Sequence, residues 1–295
     1  TCHDGVLYNK DMTTLISFPA GRSGAFTVPK SVVNIGDMAF YYAYGLTSVK
    51  MYNNVLSIGP NAFEKCWNMS YLKLSDNLKI IGYRAFAGCS SLRSIHLPYT
   101  VKTIGKQAFL GGIDSDDNMY YYYTSGIYYV KGSYAETYLK TLHLPSNYLK
   151  AETRYITDID SNVTLYDSAG VFPANKNLDL SVSVKPNSSY TSLLPVRYNT
   201  MNVYQVTFLQ DGKAASLSKE CVIRFHGLPA NTIPTATKVY VPRANKLVEK
   251  TRAPQAAFVG TTFSNTDTFV VISNNNFSLK GDIDGDGTRS IYDAR

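Results

Sequence analysis

Apolar residues recur along the first half of the chain in pairs with one residue between them: Val49 and Met51, Leu72 and Leu74, Ile95 and Leu97. Each pair lies 23 residues after the one before. Alternation with period two predicts short strands with one buried face. Phe26 and Val28 fill the same slots one period earlier. A second phrase keeps the same interval: IGDMAF, IGPNAF, IGYRAF and IGKQAF, from Ile35, Ile58, Ile81 and Ile104. A strand this short cannot bury its apolar side alone, so the pattern predicts coils stacked into a continuous core. Gly36, Gly59, Gly82 and Gly105 are expected at turns that need backbone freedom. The Ala-Phe pairs 39/40, 62/63, 85/86 and 108/109 supply a small residue for close approach and a large one for the core.

LTSVKM, MSYLKL and LRSIHL, from Leu46, Met69 and Leu92, have the L-x-x-L-x-L form, which at a period in the twenties predicts a leucine-rich-repeat solenoid. The fuller phrase I-G-x-x-A-F-x-x-C-x-x-L resembles the BspA-type repeats of bacterial surface proteins. DGVLYNKDMTTLISFPAG, from Asp4, resembles the β-hairpin that caps such arrays, and KGSYAETYLKTLHL, from Lys131, their closing segment. The resemblance covers roughly residues 4–144. The rhythm fails over GGIDSDDNMYYYYTSG (111–126), where an insertion loop rich in Asp and Tyr is expected.

From about Glu152 the phrase is gone and alternation takes over, in Leu178, Leu180, Val182 and Val184, then Tyr204, Val206 and Phe208 up to the hairpin signal Asp211-Gly212. Cys221, Ile223 and Phe225 follow, then Val239 and Val241, then Phe269 and Val271. Short strands separated by Gly, Pro and Asn predict an antiparallel β-sandwich. VYQVTFLQDGK and FSNTDTFVVI resemble immunoglobulin-like modules that sit between repeats and anchoring domains in secreted bacterial proteins. That resemblance implies a spacer rather than a chemistry.

The last fifteen residues, GDIDGDGTRSIYDAR, place hard oxygen ligands at calcium-loop spacing. Asp282 is position 1, Asp284 position 3, Asp286 position 5, Thr288 position 7 through its carbonyl, Ser290 position 9 and Asp293 position 12. Gly287 stands at position 6, where the chain must turn sharply around Ca2+. In the context of repeats and a sandwich, the segment resembles the first half of a dockerin, the calcium module that docks cellulosomal proteins onto scaffold cohesins. The resemblance implies a cohesin partner contacted by Ile291 and Tyr292, although Arg289 replaces the aliphatic residue usual at position 8. The reading is thus mainly β: a solenoid at 1–150, an immunoglobulin-like β-sandwich module at 151–279, and a truncated calcium-loop (dockerin) segment at 280–295.

Charge changes the picture little. Of 29 basic and 22 acidic residues, setting aside the terminal loop's four aspartates and two arginines leaves 27 against 18. A body this basic allows an anionic partner. Without a Lys/Arg cluster longer than two residues or a recognition motif, nucleic acid is not expected. No apolar run approaches a membrane span of ~18 residues. Thr1 is expected to be the edge of a processed or cloned chain, and the lack of a signal peptide here is uninformative about secretion. Cys2, Cys66, Cys89 and Cys221 form neither a disulfide framework nor a C-x-x-C metal motif.

Candidate catalytic groups each have a bland reading beside the chemical one. KCWN around Cys66 resembles the Cys-Trp of papain-like peptidases, with His96 or His143 as a conceivable base. Yet Cys66 and Cys89 are the same slot of consecutive coils, expected to be small buried hydrophobes, or close enough for a disulfide. Asp158 with Asp160, and Asp114 with Asp116 and Asp117, are loop neighbours rather than carboxylates facing across a cleft. His226 reads as a strand-end residue, and the sequons at Asn68, Asn162 and Asn187 carry little if the source is bacterial. No reaction centre is expected.

The candidate binding residues lie on the outward slots of the coil strands. One column is Thr27, Lys50, Lys73 and His96; the next is Ala25, Ser48, Tyr71 and Ser94; a third begins Pro29, Tyr52 and Ser75. Lys50 and Lys73 are expected side by side, repelling one another, with Tyr52 and Tyr71 adjacent. This favours an acidic protein or polysaccharide, unless the lysine stems merely shield the strands. The functional expectation is a secreted, extracellular, non-catalytic binding component of a cellulosome. The alternative is an accessory region of a larger secreted peptidase or glycoside hydrolase whose catalytic domain lies upstream of Thr1.

Overall fold

In the computed structural model, which describes residues 1–113, 119–120, 126–142, 144, 146–174, 176–193, 200–226, 237–243, 246–255 and 258–273, the 23-residue phrase closes into coils. The chain divides into two units, Thr1–Arg154 and Tyr155–Arg295.

In the first unit, the strands Cys2–His3, Val6–Tyr8 and Thr14–Ser17 form the antiparallel cap. Thr14–Ser17 then hands over to a parallel ladder of two-residue strands, Asn34–Ile35, Ser57–Ile58, Ile80–Ile81 and Thr103–Ile104. Across the core runs a second ladder, Gly24–Thr27, Leu46–Lys50 and Tyr71–Lys73. Val49, Met51, Ile95 and Leu97 are fully buried, as the alternation requires, and Leu72 and Leu74 nearly so.

Backbone bonds tie each coil to the next at two places. The N–H groups of Gly59, Gly82 and Gly105 donate to the carbonyls of Ile35, Ile58 and Ile81 at 2.8–2.9 Å. At the Ala-Phe step, Phe40, Phe63 and Phe86 donate to Ala62, Ala85 and Ala108 at 2.7–2.8 Å. Held at that spacing, the phenylalanines stack: Phe40 on Phe63 at 4.6 Å between centroids, Phe63 on Phe86 at 5.4 Å, and Phe86 on Phe109 at 6.1 Å. Phe18 continues the stack at one end, where the Arg22 guanidinium lies over Phe18 and Phe26. Tyr138 closes the other, its ring edge on Phe109 and its hydroxyl donating to the Gly105 carbonyl at 3.0 Å.

The expectation of turn freedom at the repeat glycines is corrected. None of Gly36, Gly59, Gly82 and Gly105 has a positive φ. What they provide is room: a Cβ on Gly82 would lie 2.4 Å from the Gly59 carbonyl carbon, and one on Gly105 2.3 Å from the Tyr83 nitrogen. The left-handed position falls two residues later, at Met38, Asn61, Arg84 and Gln107, all with φ between 50° and 57°. Four different side chains there conceal one shared backbone conformation.

The solenoid also runs beyond the readable repeat. Ser94–Leu97 pairs in parallel with Gly126–Val130, which pairs with Leu149–Glu152. The partners Ile95, Ile127 and Leu149 are offset by 32 and then 22 residues. The helix Tyr134–Lys140, inside the expected closing segment, sits between the last two strands. Ser133 caps it by accepting from the Glu136 N–H, and the Glu136 carboxylate accepts from the Gly132 N–H.

The second unit has two antiparallel sheets. One orders its strands Tyr155–Asp158, Val163–Tyr166, Cys221–His226, Phe258–Phe263, Arg252–Gln255; the other Leu178–Lys185, Thr200–Gln210, Thr266–Ser273, Thr237–Arg243, Lys246–Glu249, with Lys213–Ala214 also on Thr200–Gln210. Leu165, Ile223 and Phe225 of the first share a core with Leu180, Phe208, Val241 and Phe269 of the second. Asp211 and Gly212 both have positive φ and form the two-residue turn their identity predicts. The alternation outruns the core, for Val184 is 66% exposed.

Two substitutions separate room from backbone freedom. Gly88 has φ +72° and a Cβ there would make only ordinary contacts, the nearest 3.5 Å from Lys65 Cγ, so Gly88→Ala should cost about 1–2 kcal/mol. Gly82→Ala forces backbone apart and should cost several times as much in denaturant unfolding of the full chain. Equal costs would show that close approach is not what Gly82 serves.

A candidate binding face and the polar ladder behind it

The second ladder sets the register of the predicted face. Thr27 pairs with Lys50 and Lys50 with Lys73; Ala25 pairs with Ser48 and Ser48 with Tyr71. Lys50 and Tyr71 are exposed, Tyr71 by half its surface. Farther along, His96 pairs with Tyr128 and Tyr128 with Lys150. The third column does not stay outward: Pro29 and Tyr52 are half-buried, and Ser75 is fully buried as the chain turns into the coil.

The expected repulsion between Lys50 and Lys73 is corrected as well. Lys73 is only 14% exposed and its ammonium is bound to the Asp76 carboxylate, itself 5% exposed. Asp76 belongs to a buried polar ladder. Its backbone N–H donates to Asn53 Oδ1 at 2.9 Å, and Asn77 Nδ2 donates to the Asn53 carbonyl at 3.0 Å. One coil on, the Thr100 hydroxyl reaches the Asp76 and Leu78 carbonyls, each at 2.8 Å. These groups satisfy backbone that the tight turn leaves without strand partners. Lys73 therefore neutralises a buried carboxylate, and Lys50 carries the charge of this part of the face. The pair was visible in the sequence as a Lys and an Asp three apart.

His96 is likewise engaged. Its Nδ1 lies 2.9 Å from a Glu152 carboxylate oxygen and its ring stacks on Tyr128 at 4.2 Å. The Lys150 ammonium is 5.5 Å from the Tyr128 centroid, and that of Lys30 is 4.7 Å from the Tyr52 centroid. Tyr128, Lys150 and Glu152 escaped sequence reasoning, because the insertion before Gly126 hides their place in the repeat.

The other candidates take structural positions. Cys66 and Cys89 are free thiols that donate to the Phe40 and Phe63 carbonyls at 3.0 and 3.1 Å. Burial pushes the Cys66 thiol up to about 12 and Cys89 well above its ordinary value, the opposite of an activated nucleophile. Asp158 accepts from the Ser161 N–H and hydroxyl, the bonding of a turn. His226 ends its strand, and burial, with Arg224 nearby, lowers its pKa. Among the described residues no group of three or more His, Cys, Asp or Glu could hold a metal ion, and no helix is long and apolar enough to cross a membrane. Asp114, Asp116, Asp117, the tyrosines 121–123 and His143 lie outside the described residues. So do all the calcium-loop positions: Asp282, Asp284, Asp286, Thr288, Ser290, Asp293, Ile291 and Tyr292.

Known proteins share the repeat. Residues 20–115 match the BspA type leucine rich repeat region in six copies. Four solved chains match. A leucine rich cell surface protein from Faecalibacterium prausnitzii is 28% identical over 46% of this chain and 41% of that one, with a TM-score of 0.37. A leucine-rich repeat protein from Bacteroides capillosus is 31% identical over 34% and 83%, at 0.30. A leucine rich repeat protein from T. pallidum is 25% identical over 35% and 62%, at 0.28. The chain thus spans well under half the length of the Faecalibacterium protein. No curated protein matches.

Proposed function

Residues 20–115 are a BspA-type leucine-rich-repeat region, and from that premise we propose that the chain is a secreted binding component, without catalysis of its own, that holds an acidic protein on the outward strand face. The observation that carries this reading is the exposure of Lys50 and Tyr71 on adjacent columns of a parallel ladder. A tyrosine gives contact area at low entropic cost, and an outward lysine steers an anionic surface toward it. Lys150, paired with Tyr128 in the ladder that begins at Ser94–Leu97, adds a further exposed positive charge. The buried, protonated thiols support the non-catalytic part.

The remaining modules complete the proposal. The two-sheet second unit serves as an immunoglobulin-like sandwich, spacing the repeats from an anchor. The terminal loop, with Asp282, Asp284, Asp286, the Thr288 carbonyl, Ser290 and Asp293 as Ca2+ ligands, is the first half of a dockerin. Ile291 and Tyr292 face a scaffold cohesin and tie the protein to a cellulosome.

Two expected outcomes test these parts separately. Capture of an acidic protein partner should weaken with salt and be abolished in a Lys50→Glu, Tyr71→Ala variant whose melting temperature is unchanged. Lys73→Glu is unsuited to this purpose, since it would set a second carboxylate against buried Asp76. Capture unaffected by the double variant would move the site off this face. For the anchor, a chain extended through a complete dockerin should release calcium-binding heat in calorimetry and bind cohesin in Ca2+ but not in chelator. No heat would reject the calcium assignment.

A further inference from the structure

Away from the strand face, one corner of the repeat unit carries side chains that its fold does not require. Beyond each Ala-Phe step the chain turns through slots that recur every 23 residues: Tyr41, Glu64 and Ala87; Tyr42, Lys65 and Gly88; Tyr44, Trp67 and Ser90. The third coil fills these slots with Ala, Gly and Ser. Its backbone is nonetheless bonded like the others: the Tyr42 N–H donates to the Glu64 carbonyl, Lys65 to Ala87 and Gly88 to Leu110, all at 2.8–3.0 Å. Small residues therefore suffice for the turn.

The first two coils place aromatic rings there instead. Tyr42, Tyr44 and Trp67 are 39%, 48% and 40% exposed. Tyr42 meets Trp67 edge to face at 4.8 Å, and Tyr41 lies 5.9 Å from Tyr42. The Lys65 ammonium stands 5.7 Å and 5.9 Å from the Tyr42 and Tyr41 centroids. The backbone is strained where these side chains sit. Tyr42 and Lys65 each adopt φ 61°, the left-handed region that Gly88 occupies at 72° in the next coil. That conformation costs a non-glycine residue roughly 1–2 kcal/mol. Strain retained at exposed Tyr42 and half-buried Lys65, where glycine fits the same turn in the next coil, points to a use for the side chains.

We propose that Tyr41, Tyr42, Tyr44 and Trp67, with Lys65, form a platform for an acidic polysaccharide. A pyranose ring presents an apolar C–H face that packs on exposed aromatic rings, while the tyrosine hydroxyls and the indole N–H meet its equatorial hydroxyls. A uronate carboxylate would find its counter-charge in Lys65. Size favours a sugar over a protein partner. The rings come from two coils ~5 Å apart, so the platform spans one or two sugar residues and falls far short of the ~800 Å² per partner of a stable protein interface. Its residues lie in the turns that precede the strands carrying Lys50 and Tyr71.

Trp67 is the only tryptophan in the chain, so its fluorescence reports on this corner alone. Sodium polygalacturonate should quench or blue-shift that emission in the full chain, in a salt-sensitive way. Tyr42→Gly removes a ring and relieves the strained φ. It should leave the melting temperature unchanged or raised while weakening the titration by roughly tenfold. Lys50→Glu should leave it unchanged. The inference is overturned by no Trp67 response to polygalacturonate, by a response to polyglutamate alone, or by an undiminished titration in Tyr42→Gly.

Discussion

The repeat unit depends on how closely one coil's backbone can approach the next. Two sets of backbone bonds, at the Ile-Gly and Ala-Phe steps, hold successive coils at hydrogen-bonding distance. At the first step nothing larger than a hydrogen fits beside the neighbouring backbone, hence glycine at 36, 59, 82 and 105. At the second, alanine is buried between coils and the phenylalanine beside it has one direction left, into the core, where the rings stack. Cysteine at 66 and 89 belongs to the same logic: each thiol donates to a carbonyl of the coil before it. Chemistry is thereby excluded from the most regular positions of the chain.

What the stacking leaves free is the outward side of each slot, and that is where function can reside. The scaffold fixes register, so residues 23 apart become neighbours whatever their identity. Register alone does not determine charge. Lys50 and Lys73 pair across the ladder, yet one faces solvent and the other offsets a buried aspartate that belongs to the turn. Lysine stems on a strand face thus divide between structure and recognition according to the residues that come next in the coil. The aromatic corner makes the complementary point, since coils that share the inter-coil bond at Tyr42, Lys65 and Gly88 differ there in side chains and in strain.

Much of this was legible in the sequence because the period acts as an internal alignment. The inward pairs, the Ala-Phe steps and the first two strand columns follow from spacing, as do the alternating strands of the second unit, while the cap was legible only as a resemblance. Three things were not. The role of the repeat glycines is hidden because a recurring Gly slot marks either a positive φ or a close approach, and spacing cannot distinguish them. The left-handed position at Met38, Asn61, Arg84 and Gln107 has no common side chain to reveal it. The strands at Gly126–Val130 and Leu149–Glu152 were lost because nine extra residues before the first break the rhythm, although Ile127 and Leu149 fill the core slot of Ile95. With them went Glu152 and Tyr128, which set the surroundings of His96.

The claim that backbone approach couples the coils into one body is open to a direct measurement, native-state hydrogen exchange of the full chain. The amides of Gly59, Gly82, Phe40 and Phe63 all bond from one coil to another. The account predicts that they exchange slowest in Thr1–Arg154 and share a single opening free energy, shifting together as denaturant is added. Separate opening energies from coil to coil, or exchange as fast as in the hairpin cap at residues 1–17, would contradict it.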